Sequence, residues 1–230
     1  MTRIILQPAF ILHTRAYRDS SLLLSLLTLQ HGHLTILAKG AKSRPQTRAL
    51  LSPFIPLLVS WSGKGELPIL GKVEPNGIGY PLTGTSLLSG LYVNELLIKL
   101  VPQHDPHSNV YNLYQETLEH LPSGNQYLVL RLFEKHLLTA LGYGLSLDKT
   151  ADGEKIIPTA QYYFKFGVGF LKIEEHIGKF ELFSGQSLLA LYHERFISNS
   201  SMRDAKRLLQ LVLQDILGDK TINAKSFFVF

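Results

Sequence analysis

The hydrophobic pattern of this chain changes period near residue 80, and that change fixes the class of fold open to it. Before it, apolar runs of strand length cover Ala9–His13, Leu22–Thr28, Gly32–Ala38, Phe54–Trp61 and Glu66–Val73. Gly32, Gly40, Pro45, Gly63, Gly65 and Pro75-Asn76-Gly77 punctuate them. Short strands at such turn-marked intervals predict a small barrel or sandwich. The polar stretch Thr14–Ser21 and the acid-free segment Gly40–Arg48 read as loops. After Tyr80 the spacing becomes helical: Leu88, Leu91, Glu95 and the Leu96/Leu97 pair predict a helix capped by Thr85 or Ser86 and running to about Leu100, with Pro102 stopping it. Val110–Leu121, ended by Pro122, and Gln126–Leu141, ended by Gly142 and Gly144, predict two more. The aromatic, alternating stretch Tyr162–Phe183 reads as part of a small β or irregular insert over about residues 145–183. A short helix is expected over Ser187–Phe196. Ser201-Met202-Arg203-Asp204 then reads as a capping box for a last helix ending at Gly218. The expectation is an α+β chain: a small β-barrel over residues 1–80, then a mostly helical domain over residues 81–230.

Charge follows the same division. Residues 1–80 hold nine Lys/Arg against three acids, a net +6, and the remaining 14 bases and 15 acids give −1. Excess cations confined to a β-domain point to a polyanionic partner. The chain has no cysteine, which excludes disulfides and thiolate-bound zinc and fits a cytoplasmic protein. Its N-terminus lacks the features of a signal peptide, and its longest leucine-rich run, Leu22–Leu29, is far too short to span a bilayer. No membrane partner is expected.

Tests for catalytic chemistry come out negative. Gly-Lys occurs at 63–64, 71–72 and 178–179 but is never followed by Ser or Thr, so the phosphate-wrapping loop of nucleotide hydrolases is missing. Gly167-Val168-Gly169 lacks the third glycine of a dinucleotide site. No Gly-x-Ser-x-Gly elbow and no His-Glu-x-x-His helix is present. The His31/His33 pair and the His104-Asp105-Pro106-His107 cluster read as a turn and a polar loop rather than metal ligands. A hydrolase built on His104 and His107 is the remotest reading. The expectation is a non-enzyme without cofactor or metal.

Single-stranded nucleic acid offers a line of phosphates and exposed base faces. Small barrels receive it with a cationic groove and aromatic platforms. Arg15, Arg18, Lys39, Lys42, Arg44, Arg48 and Lys64 are the candidate groove cations, and Tyr17, Phe54 and Trp61 are the candidate platforms. Phe54 and Trp61 lie in apolar runs and are expected in the core. Arg131 and Lys135, four residues apart on one helix face, border the apolar Leu128, Leu132 and Leu138. Such a pair suits a peptide with an acidic, hydrophobic end. The alternative is a solvated stripe in which Arg131 pairs with Glu134 at the surface. Arg203, Lys206 and Arg207 on the last helix either extend a DNA path or form its wet face.

Several segments resemble RecO proteins in order along the chain. They are Ala9-Phe10-Ile11-Leu12-His13-Thr14-Arg15 with Asp19-Ser20-Ser21-Leu22, Gly32 through Lys42, Leu91-Tyr92-Val93-Asn94-Glu95-Leu96-Leu97, and Arg131-Leu132-Phe133-Glu134 with Leu141-Gly142-Tyr143-Gly144. The tail from Ala205-Lys206-Arg207 to Lys225-Ser226 is similar in kind. The resemblance implies an N-terminal OB-fold, binding of single- and double-stranded DNA, and annealing of strands without ATP. It implies as partners RecR, the acidic tail of the single-stranded-DNA-binding protein and, indirectly, RecA, in the bacterial cytoplasm at the nucleoid. It puts Lys39 and Lys42 in a basic barrel signature and Arg131 in a tail-binding helix motif. Many RecO relatives carry a four-cysteine zinc module where this chain has Tyr162–Phe183, so no zinc is expected here. Asn223-Ala224-Lys225-Ser226 also lacks the Ser-Arg pairing common near the family's C-terminal end. An RNA-binding OB-fold protein is the alternative reading.

Overall fold

The computed structural model describes residues 3–63, 67–122, 124–173 and 180–223. The chain is α+β. Five N-terminal strands, β1 (Arg3–Tyr17), β2 (Ser21–Thr28), β3 (Gly32–Ala38), β4 (Pro56–Ser62) and β5 (Ile69–Pro75), form a closed barrel in the order β1-β2-β3-β5-β4. All neighbours are antiparallel except β3 and β5, which meet in parallel at Leu37 and Ile69.

Strand β1 makes closure possible. It is longer than its apolar run, beginning at Arg3 and continuing through Thr14–Tyr17, the first half of the polar stretch expected as a loop. Its middle serves two neighbours at once: Ala9 pairs with Thr28 and with Leu57, and Phe10 with Leu27 and with Pro56. Irregularities between Ile4 and Gln7 and between Ile11 and His13 break the register and bend the strand around the barrel. Inside lie Ala9, Ile11, Leu24, Leu26, Leu34, Ile36, Leu57, Val59 and Trp61. Each fully buried leucine here contributes about 1.5–3 kcal/mol.

The segment expected as one basic loop after β3 is structured. A 3-10 turn, Ala41–Ser43, is followed by α1 (Pro45–Leu50). Pro45 at the first helical position needs no N–H partner there, and buried Ala41 anchors the turn to the barrel core.

Two further helices pack against the barrel: α2 (Gly84–Leu100) and α3 (Ser108–His120). Thr83, not Thr85 or Ser86, caps α2, and its amide donates to Ser86 Oγ at 3.0 Å. Buried Phe10, on the outer side of β1, meets Tyr111 and Tyr114 of α3 with ring centroids 5.4 and 5.1 Å away. The register break in β1 skips Leu12. The free Leu12 carbonyl accepts a hydrogen bond from Asn94 Nδ2 at 2.9 Å, and Asn94 Oδ1 in turn accepts from the Tyr114 hydroxyl at 2.7 Å. Gly90 lets α2 approach closely, since a side chain there would meet Leu82 and the Phe54 ring at under 3 Å.

By packing, the described residues up to Gln126 form one unit with Lys220–Asn223, and those of Tyr127–Asp219 form a second. The barrel thus shares its unit with α2 and α3, although the change in sequence period falls at residue 80. The second unit holds most of α4 (Gln126–Ala140), a three-stranded antiparallel sheet and two more helices. The sheet comprises β6 (Gln161–Lys165), β7 (Gly169–Lys172) and β8 (Leu182–Ser184) in the order β7-β6-β8. The helices are α5 (Gly185–Tyr192) and α6 (Asn199–Leu217). Ser198, three residues before the expected cap, starts α6 by accepting from the Ser201 amide at 3.2 Å. Gly218 ends that helix as expected.

Candidate nucleic-acid interface

The barrel's register gathers its cations at one end. Strands β1 and β2 finish at the pair Tyr17/Ser21, and β3 leaves the sheet at Ala38, opposite Leu22. The Arg18–Ser20 turn and the exit carrying Lys39 therefore share a pole. The 3-10 turn docks there, with the Lys42 amide donating to Ser20 O at 2.9 Å. Helix α1 returns to β1 one residue from Arg15, where Thr14 Oγ1 donates to Leu51 O at 3.1 Å. Arg15, Arg18, Lys39, Arg44 and Arg48 are exposed, and Lys42 is half-buried. Among the described residues none of these six forms a salt bridge. Asp19 is the one acid in the turn, and it engages Lys42 through its backbone carbonyl. The candidate Lys64 lies outside the described residues.

The aromatics divide. Phe54 and Trp61 are buried, and Trp61 belongs to the barrel core with the His31 ring edge-on at 5.2 Å. Tyr17 is half-buried, with the Arg18 guanidinium carbon 5.2 Å from its ring centroid. A cation over a ring at that distance is an attractive pair.

The cations of the second unit are placed otherwise. Arg131 is 5% exposed and donates to Glu134 Oε1 at 2.5 Å, with Glu134 fully buried. This corrects the expectation of an exposed stripe with a surface pair: the two side chains face the interior of their unit. Lys135 donates to Leu191 O and Tyr192 O, both at 3.0 Å, and to Glu194 Oε1 at 2.7 Å, so it satisfies the end of α5. His136 also meets Glu194, at 2.7 Å. Burial pushes the Glu194 carboxyl up, but its bonds to Lys135 and His136 together hold it below its ordinary value. On α6, Arg207 reaches Asp204 and Glu181 and lies over the Phe183 ring, whereas Arg203 is exposed and Lys206 half-buried.

His33 and His104 meet in the first unit. His33 is buried in the first unit, with Nε2 2.7 Å from Ser25 Oγ and Nδ1 3.3 Å from Val101 O. Desolvation lowers its pKa, the Val101 bond opposes that, and the charge of His104 adds to the lowering. The His104 amide donates to His33 O, so the histidine-rich segment lies along the end of β3. It passes so close that a side chain at Gly32 would overlap the Asp105 carbonyl. His107 meets Asp105 at 3.1 Å. Among the described residues no three His, Cys, Asp or Glu gather as metal ligands, and no helix is long and apolar enough to cross a membrane.

Sequence reasoning did not anticipate a groove of about 560 Å³ in the second unit, lined by Tyr143, Lys149, Phe164, Phe166, Val168 and Asp215 among others. Its signal was the alternation Phe164, Phe166, Val168, Phe170. The β6–β7 hairpin pairs Phe164 with Phe170 and leaves Phe166 and Val168 exposed at its tip.

Comparison with known proteins gives one consistent result. The family described as "Recombination protein O N terminal" matches residues 1–77, and "Recombination protein O C terminal" matches residues 82–222. A protein of Coxiella burnetii (strain CbuG_Q212) named DNA repair protein RecO is 43% identical, with 97% of each chain covered. Proteins of the same name from Methylococcus capsulatus and Aliivibrio fischeri are 40% and 37% identical, covering 99% and 97% of this chain and 94% and 95% of their own.

Proposed function

This chain belongs to the RecO family of DNA repair proteins, and from that premise we propose that it is a recombination mediator whose barrel, read as an OB-fold, binds DNA through its basic pole. The observation that carries this reading is the set Arg15, Arg18, Lys39, Lys42, Arg44 and Arg48, brought to one end of the barrel with no carboxylate partner among the described residues. Lys64 belongs to the same proposal on sequence grounds. Of these, Arg15, Lys39, Arg44 and Arg48 are exposed and give up no ion pair among the described residues when they meet phosphate, and they release the counterions condensed on the strand. Tyr17 supplies the stacking face.

Held side by side on such a surface, two complementary strands pair at a lower entropic cost. Annealing in this way needs no nucleotide and breaks no covalent bond, so we read the protein as a non-enzyme. Within the same proposal it acts in the bacterial cytoplasm at the nucleoid with RecR, and helps load RecA on strands covered by single-stranded-DNA-binding protein. The tail of that coating protein docks near Arg131 and Lys135. Both are paired internally with carboxylates, so docking there requires the tail's acids to take the place of Glu134 or Glu194, and a charge-reversed tail peptide should bind much more weakly. Arg203, Lys206 and Arg207 provide secondary DNA contacts.

The test is nucleotide-free annealing and single-strand binding across salt concentrations. Lys39→Ala/Arg44→Ala should weaken binding and lower the slope of log K against log salt by about 1.4, at about 0.7 per phosphate contact. Binding indifferent to salt would overturn the reading. The relatives are named for DNA repair, which disfavours the RNA-binding alternative; competition by single-stranded RNA is the control.

A further inference from the structure

Lys42 differs from every other cation at the pole. Lys39, Arg44 and Arg48 extend into solvent, but the Lys42 ammonium donates to Arg18 O at 2.6 Å and to Asp19 O at 3.3 Å. Its own amide donates to Ser20 O. One residue thus receives three consecutive carbonyls of a single turn.

That turn needs holding. The β1–β2 ladder ends at Tyr17/Ser21, so the sheet supplies no partner for the carbonyls between. Arg18 sits at φ 50°, in the left-handed region that costs a residue with a side chain about 1–2 kcal/mol. The conformation has a function-bearing consequence, because it sets the Arg18 guanidinium beside the Tyr17 ring.

We propose that Lys42 is a positioning residue of the DNA surface: it commits its ammonium to the Arg18–Ser20 turn and so fixes Arg18 and Tyr17 for the strand, instead of neutralising a phosphate itself. The proposal rests on the DNA-binding reading above. It separates Lys42 from Lys39, its neighbour in the same basic segment. Lys39 acts by charge at a phosphate, and Lys42 acts through Arg18.

A double-mutant cycle tests this on the full chain, with a fluorescent single-stranded oligonucleotide as probe. Lys42→Met should weaken binding by about fivefold in the natural background and by less than about twofold in an Arg18→Ala background, as expected of coupled residues. Its salt slope should stay near that of the unaltered protein. Lys39→Ala should cost the same factor in both backgrounds and lower the slope by about 0.7. Lys42→Arg, which keeps two or more donors, should recover most of the affinity. Equal losses from Lys42→Met in the two backgrounds, or a slope lowered as by Lys39→Ala, would overturn the proposal. So would an Arg18→Ala variant that binds normally.

A second measurement needs no DNA. The residue-42 amide, protected by the Ser20 carbonyl, should exchange its hydrogen about tenfold faster in Lys42→Met at pH and temperature where the fold is intact. Unchanged exchange would count against positioning even if the protein bound DNA well. Failure of the unaltered protein to bind any strand would instead remove the DNA-binding reading, and the positioning role with it.

Discussion

The barrel pole and the helices of the second unit both carry clustered cations, yet they use them in opposite ways. At the pole, Arg15, Arg18, Lys39, Arg44 and Arg48 are exposed and have no carboxylate partner among the described residues. In the second unit Arg131 is buried on Glu134, Lys135 is bound to Glu194 and two carbonyls, and Arg207 is shared between Asp204 and Glu181. Net charge along the sequence hints at this contrast, but availability decides it. A cation already bonded to its own protein must break those bonds to take a phosphate, whereas a solvated one has only water to shed.

The sharpest way to break the contrast is through stability. Arg131→Ala leaves Glu134 buried without its ion-pair partner and should cost about 3–5 kcal/mol in urea unfolding. Arg48→Ala should stay within about 0.5 kcal/mol, because the side chain is exposed. Equal losses would mean that the two regions are not different in kind. Next comes the salt dependence of single-strand binding. Replacing Lys39, Arg44 and Arg48 together by Ala should lower its slope by about 2, against less than about 1 for Arg203 and Arg207 together.

A smaller effect separates the pole from its own supporting interior. His33 is held below its ordinary pKa of 6.5, mainly by burial. As pH falls below 6.5 the unfolded chain takes up the proton first, so the fold loses stability between that pH and the lowered folded value. Urea midpoints at pH 7 and pH 5.5 should therefore differ, and His33→Gln should narrow the difference. If the variant leaves it unchanged, other histidines carry the effect. The smallest effect is expected at Arg207→Ala. Its ion pairs are half in solvent and should contribute under about 1 kcal/mol, read by thermal unfolding.

Much of this arrangement was legible in the sequence, and the exceptions share a cause. Period and turn residues located all five barrel strands and most helices, because each has an apolar face of its own. They missed the length of β1, since Thr14–Tyr17 is polar and becomes a strand only by pairing with Ser21–Leu24. They missed α1, whose six residues include no buried one. The cations at the pole were readable as a group because Lys39 to Arg48 holds no acid. Their convergence with Arg15 and Arg18 depends on strand register, which a single sequence does not reveal. Arg131 misled for a related reason: spacing gives a helix face, but only packing tells whether that face is wet.

The skipped residue in β1 has a consequence for assembly of the fold. Leucine-rich β2 could slide along its neighbour by two positions and still present leucines inward. Only an alignment that leaves the Leu12 carbonyl unpaired in the sheet offers it to Asn94, and in the others the buried Asn94 amide nitrogen would be sealed in without this acceptor, though its oxygen would keep the Tyr114 hydroxyl. The helix following the barrel thus acts as a gauge of its threading, accepting a setting of the strands that frees this carbonyl and penalising the rest.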